Sequence, residues 1–238
     1  MSNNLLEIEH VQSGYGDVQV LWDVSTVVET GEIACIVGSN GAGKTTLLRT
    51  ISGLVPLRAG SIRFDGREIG GLPPEQVLGL GIAHVPEGRR LFRGLSVRDN
   101  LLLGAYLRRD TREVERDLDA VFELFPILRE RQSQDATTMS GGEQQMCAIG
   151  RGLMSRPRLL MIDELSLGLA PALVERLNDA LLEINRTGLT ILIVEQDVLT
   201  AFEIASTAFV IETGRVSMSG TTEVLGNDPR IRKAYMGL

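Results

Sequence analysis

The stretch Gly38-Ser39-Asn40-Gly41-Ala42-Gly43-Lys44-Thr45 separates an apolar run, Glu32-Ile33-Ala34-Cys35-Ile36-Val37, from a helix-compatible one, Thr46-Leu47-Leu48-Arg49. Its glycines let the backbone curl so that successive N–H groups point inward, which makes a phosphate-binding P-loop. Lys44 brings a positive charge for the β- and γ-phosphates, and the Thr45 hydroxyl can ligate Mg²⁺. The helix that follows, from Thr46, turns its positive dipole end toward the same phosphates.

Outward from that loop, 238 residues suffice for one large domain or a core with an inserted subdomain. A net charge of −7 gives no broad basic field and disfavours nucleic acid as a partner. The N-terminus lacks a basic segment followed by an apolar one, and no apolar run is long enough to cross a bilayer, so a membrane link is expected to run through a partner. Cys35 and Cys147 are expected to be buried thiols, and His10 and His84, far apart, to be structural.

Upstream, Leu5 to Glu9 and Val20 to Val24 alternate like strands around the Gly14-Tyr15-Gly16-Asp17 break, predicting an antiparallel opening sheet. Tyr15 is a candidate for stacking on an adenine face, or an ordinary turn tyrosine. Gly60 to Gly66 predicts a short strand, Pro73-Pro74-Glu75-Gln76 a short helix, and Ile82 to Val85 another strand. From Gly88 to about Arg156 only helical patterns occur, at Val97 to Leu102, Arg112 to Phe125 and Glu143 to Met154, so an inserted helical subdomain spanning about 88–156 is expected. Its interleaved arginines and acids describe a solvated face.

Leu159-Leu160-Met161-Ile162-Asp163-Glu164 reads as a buried parallel strand ending in two carboxylates. Asp163 is assigned to Mg²⁺ and Glu164 to polarising the attacking water, roles that P-loop hydrolases require. Thr190 to Val194 is a further buried strand, followed by Glu195-Gln196-Asp197, and Ala208 to Met218 a hairpin. A short helix is expected to end the chain. The fold expected is α/β, with a P-loop NTPase core, an antiparallel β subdomain and an inserted helical subdomain in one domain spanning residues 1–238.

Met139-Ser140-Gly141-Gly142-Glu143-Gln144-Gln145 supplies a second set of N–H donors before a helix, and one nucleotide cannot fill two such cradles in one chain. Tyr15, the P-loop, this turn and Asp163-Glu164, in that order, resemble the ATP-binding subunit of an ABC transporter over essentially the whole chain. The resemblance implies a head-to-tail dimer whose ATP sites combine residues 38–46 (Gly38, Ser39, Asn40, Gly41, Ala42, Gly43, Lys44, Thr45 and Thr46) of one subunit with Ser140, Gly141, Gly142 and Glu143 of another. Val85-Pro86-Glu87-Gly88-Arg89-Arg90-Leu91-Phe92, Ser166-Leu167-Gly168-Leu169-Ala170-Pro171 and Val194-Glu195-Gln196-Asp197 further resemble the shorter ATPase subunit of branched-chain amino-acid importers.

By that resemblance the partners are a second ATPase subunit, two membrane permeases and, indirectly, an extracytoplasmic substrate-binding protein. The chain would then be cytoplasmic and peripheral on the inner face of the cell membrane. ATP and Mg²⁺ are the cofactors expected, with Thr45, Glu87 and Asp163 at the metal, and Lys44, Glu164 and Gln196 at the chemistry. Four positions depart from the general ABC pattern. Glu87 stands in place of glutamine, Gln196 of the histidine at the γ-phosphate, Ala170 of an aspartate, and Leu165 of the proline after the catalytic glutamate. Another importer, an exporter of the urea or lipopolysaccharide type, and a soluble ABC ATPase are the competing readings. A poorly hydrolysing binding module is disfavoured by Glu164.

Overall fold

The computed structural model describes residues 3–235. In chain order the strands are β1 (Asn4–Tyr15), β2 (Val18–Glu29), β3 (Ile33–Val37), β4 (Leu57–Phe64), β5 (Arg67–Glu68), β6 (Ile82–Val85), β7 (Leu159–Asp163), β8 (Thr190–Glu195), β9 (Thr207–Glu212) and β10 (Arg215–Thr221). They form one sheet in the order β5-β4-β1-β2-β10-β9-β3-β8-β7-β6. The helices are α1 (Lys44–Ile51), α2 (Pro74–Gly79), α3 (Val97–Leu103), α4 (Thr111–Leu124), α5 (Pro126–Glu130), α6 (Gly141–Leu153), α7 (Pro171–Asn185), α8 (Val198–Ile204), α9 (Thr222–Gly226) and α10 (Pro229–Tyr235).

The two halves of the sheet differ as their sequences differ. β3, β8, β7 and β6 pair in parallel, and every residue of β3, β7 and β8 is buried, so these strands read as continuous apolar runs. Alternate side chains feed two cores. Ile33, Cys35 and Val37 join Leu160, Ile162 and the helices α3 to α8 on one face, whereas Ala34 and Ile36 join Met161, α1 and the β1–β2 hairpin on the other. A fully buried side chain such as Ile36 contributes about 1.5–3 kcal/mol. β1, β2, β4 and β5 are antiparallel, as expected for the opening sheet.

The hairpin strands run further than the alternation suggests. β1 continues past a register shift between Ile8 and Val11, where His10 takes a left-handed φ of 52° and re-aims the strand. Among the described residues a single parallel bridge, Arg215 to Asp23, joins β2 of the antiparallel half to β10. Between β6 and β7 all the named elements are helices, and one continuous apolar cluster links α3, α4 and α6 to the parallel strands. Helices α5, α7, α8 and α9 are additions to the sequence reading. Both cysteines are free and buried, and burial pushes the Cys147 thiol up to about 12. Among the described residues no helix is long and apolar enough to cross a membrane.

Candidate nucleotide site

The parallel strands end on one edge, and their termini position the site. Residues after β3 curl into the loop, where the N–H of Ala42 donates to the Ser39 carbonyl at 3.1 Å, and that of Gly214, in the β9–β10 turn, donates to the Ala42 carbonyl at 2.8 Å. A Cβ on Gly38 would press on the Ile211 carbonyl. Gly43 caps α1 in a left-handed conformation, φ 111°, and a Cβ there would lie 2.8 Å from Leu21. Among the described residues no side chain caps α1, so its first N–H groups are left for a ligand.

Lys44 is buried, its ammonium donating to the carbonyls of Gly38 (2.8 Å) and Ser39 (3.2 Å). Burial lowers its pKa, and the carboxylates of Glu164, Asp163, Glu195 and Glu87 oppose that shift. The Thr45 hydroxyl donates to Asp163 Oδ1 at 3.0 Å across 118 residues of sequence. Asp163 Oδ2 is buried without a hydrogen-bond partner among the described residues. Burial, chiefly, pushes the Asp163 carboxyl up to about 6, with Glu164 and Glu87 adding to it and the Thr45 bond opposing. An orphaned carboxylate oxygen beside a hydroxyl is the donor chemistry of a hard divalent cation, so these residues fit Mg²⁺.

A cavity of about 490 Å³ opens over the loop, lined by Val20, Asn40, Gly41, Gly43, Lys44, Thr45, Thr46, Glu87, Glu164 and Leu167. Asn40, Gly41, Gly43 to Thr46, Glu87 and Glu164 were candidates from sequence; Val20 and Leu167 were not. Glu164 follows β7 with φ 52°, a left-handed strain of about 1–3 kcal/mol for a side-chain-bearing residue. Its N–H donates to the Val194 carbonyl at 2.9 Å.

The other candidates lie outside this cavity's lining. Tyr15 is 42% exposed at the end of β1, its hydroxyl accepting from Arg49 at 3.2 Å. Gln196 is exposed beyond β8. Ser140 is the N-cap of α6, closed as a capping box in which the Ser140 N–H donates to Glu143 Oε2 at 2.8 Å. Glu143 also meets Arg131 at 3.2 Å, and Gly142 packs under Leu173.

A curled glycine loop beneath a helix N-terminus, facing a strand-end carboxylate pair at the edge of a parallel sheet, defines a P-loop nucleotide-binding protein. The ABC transporter family matches residues 21–166. The chain is 46% identical over 233 residues to the high-affinity branched-chain amino acid transport ATP-binding protein BraG of Pseudomonas aeruginosa, covering 98% of this chain and 100% of that one. It is 37% identical over 235 residues to the probable branched-chain amino acid transport ATP-binding protein LivF of Archaeoglobus fulgidus, covering 98% and 99%. The solved structure of cbiO1 from Clostridium perfringens, part of the ABC transporter complex cbiONQ, matches with a TM-score of 0.85 at 26% identity over 100% of this chain and 96% of that one. The chain belongs to the ABC transporter family, as an ATP-binding cassette.

Proposed function

We propose that this cassette binds and hydrolyses ATP to power a membrane importer of branched-chain amino acids. The observation that carries the chemistry is the meeting of Lys44, Thr45, Asp163 and Glu164, with the Thr45–Asp163 bond at 3.0 Å and Asp163 Oδ2 left unpaired. The cargo reading rests on the names of the two relatives, each similar over essentially its full length.

In this reading the loop from Gly38 to Thr46 surrounds the phosphates with backbone N–H groups, and Lys44 holds its charge against the β- and γ-phosphates. Thr45 and Asp163, with Glu87 on the cavity wall, hold Mg²⁺, which neutralises phosphate charge when bound. Glu164 orients water and accepts its proton, and Gln196 donates an amide hydrogen bond to the γ-phosphate without carrying a proton itself. Tyr15 offers an exposed ring to the adenine. Ser140, Gly141, Gly142 and Glu143 serve the nucleotide of a second cassette in a head-to-tail dimer, where the helix end capped by Ser140 offers its remaining N–H groups to phosphate.

The helices within 88–156 act as a subdomain that meets two permeases at the inner membrane face, the substrate-binding protein lying beyond them. A cleft of about 560 Å³ lined by residues including Val85, Arg90, Phe92, Leu103, Tyr106 and Arg151 supports permease docking there. Phe92 and Tyr106 are exposed, whereas Leu91 and Leu95 are half-buried, so the aromatic pair is the better anchor. The test is uptake of labelled leucine, isoleucine and valine by cells expressing the wild type or Glu164→Gln. Loss of uptake in the variant is expected; undiminished uptake overturns the importer reading.

A further inference from the structure

Glu195 ends β8 and is 2% exposed, a depth at which a carboxylate needs hydrogen-bond partners. One of its oxygens accepts from the Ser166 N–H at 2.7 Å and the other from the Gln196 N–H at 3.2 Å. One residue earlier on the same strand, the Val194 carbonyl accepts from the Glu164 N–H. Val194 and Glu195 therefore hold the turn after β7 on both sides of Leu165, which is itself buried.

This double hold coincides with the left-handed backbone of Glu164. Such a conformation persists only where its surroundings over-determine it. Glu195 also pairs in the sheet with Val37, the last strand residue before the phosphate loop, so the residue that holds the turn bearing Glu164 sits on the strand next to the root of that loop. An apolar side chain would pack at this depth with less desolvation cost, but it would leave the Ser166 N–H unpaired.

We propose that Glu195 is a positioning residue for hydrolysis: its carboxylate holds the Glu164–Ser166 turn so that the Glu164 side chain is aimed into the nucleotide cavity. Glu195 does not line that cavity and acts through Glu164. The inference rests on the assignment of Glu164 as the residue that activates water.

The test is steady-state Mg-ATPase kinetics of the full chain with Glu195→Met, near in volume and without a carboxylate acceptor, and Glu195→Gln, which keeps an acceptor oxygen. Glu195→Met should lower kcat by about 10- to 100-fold with KM within about threefold, because misplacing a catalytic group weakens the transition state more than binding. Glu195→Gln should recover most of that loss. In a Glu164→Gln background Glu195→Met should add no further loss, since the group it positions is already disabled.

Wild-type kcat in a folded Glu195→Met protein overturns the proposal, as does a proportionate loss of kcat and nucleotide affinity, or a full further loss in the Glu164→Gln background. Should Glu195→Met fail to fold, Glu195→Asp, which retracts the carboxylate, is read by the same criteria. Normal turnover of Glu164→Gln alone defeats the assignment of Glu164. Slow turnover there with an indifferent Glu195→Met defeats only the positioning role.

Discussion

Two glycine-rich turns open onto helix N-termini in this molecule, and they are finished differently. At α1 the cap is a left-handed glycine with no side-chain acceptor, and a buried lysine and two strand-end carboxylates stand around it. At α6 the cap is Ser140, whose box with Glu143 satisfies part of the helix end from within the chain. Physically, α1 leaves its first N–H groups without a side-chain acceptor and Asp163 Oδ2 without a partner, whereas α6 meets part of its helix end with its own capping box and offers only its remaining N–H groups. In the function proposed above, that difference separates a turn that builds a nucleotide site from one that completes a site on another subunit.

The largest effect that would sharpen this contrast is expected at Glu164. Glu164→Gln keeps shape while removing the base, so kcat should fall by about 10²- to 10⁴-fold with ATP affinity retained. Equal loss of binding and turnover would instead place Glu164 among the binding groups.

A stability cost should be visible at the end of β7, where Asp163 meets Thr45 of α1. The folded carboxyl of Asp163 sits at about 6 against an ordinary 3.8, so the folded state holds that proton more tightly than the unfolded one. Stability from this group is therefore full below about 4, declines as pH rises through about 6 and stays reduced above, a shift equivalent to about 3 kcal/mol. Without nucleotide or Mg²⁺, Asp163→Asn should be more stable than wild type by about 1–3 kcal/mol at pH 8 and indistinguishable near pH 4. Urea unfolding at the two pH values measures it, and a pH-independent difference would show that Asp163 is not the source.

Lys44→Ala should weaken ATP binding by about 10- to 100-fold, the effect of losing a charged hydrogen bond worth about 1.5–3 kcal/mol. Fluorescent-nucleotide titration is the measurement, and wild-type affinity would remove Lys44 from the cradle. The smallest effect belongs to α6. Ser140→Ala should cost about 1 kcal/mol of stability through the lost cap and leave monomer nucleotide affinity unchanged. Its ATPase defect should appear only at concentrations where cassettes pair. A defect already present in a proven monomer would erase the contrast between the two turns.

Much of the fold was legible because burial on both faces forces continuous apolar runs, so β3, β7 and β8 stand out in the chain. α7 passed unread although Pro171 begins it and Leu173, Leu177, Leu181 and Ile184 recur at helical spacing toward the core, so its signal lay in the sequence. In the site, adjacent motif residues were readable as units. Glu195 was visible only as a polar strand end, since its partners on Ser166 and Gln196 are backbone groups that carry no residue signature.

The sequence by itself determined which chemistry is present: a glycine loop, a lysine, a hydroxyl and two acids, each decided by covalent identity and local backbone freedom. Only the tertiary structure decided how they meet. The joining of the two half-sheets through Asp23 and Arg215, the Thr45–Asp163 contact and the left-handed Glu164 held by β8 all depend on strand pairing between distant segments. Strand pairing is set by the burial of whole faces in the folded chain, a quantity that no local window of residues contains.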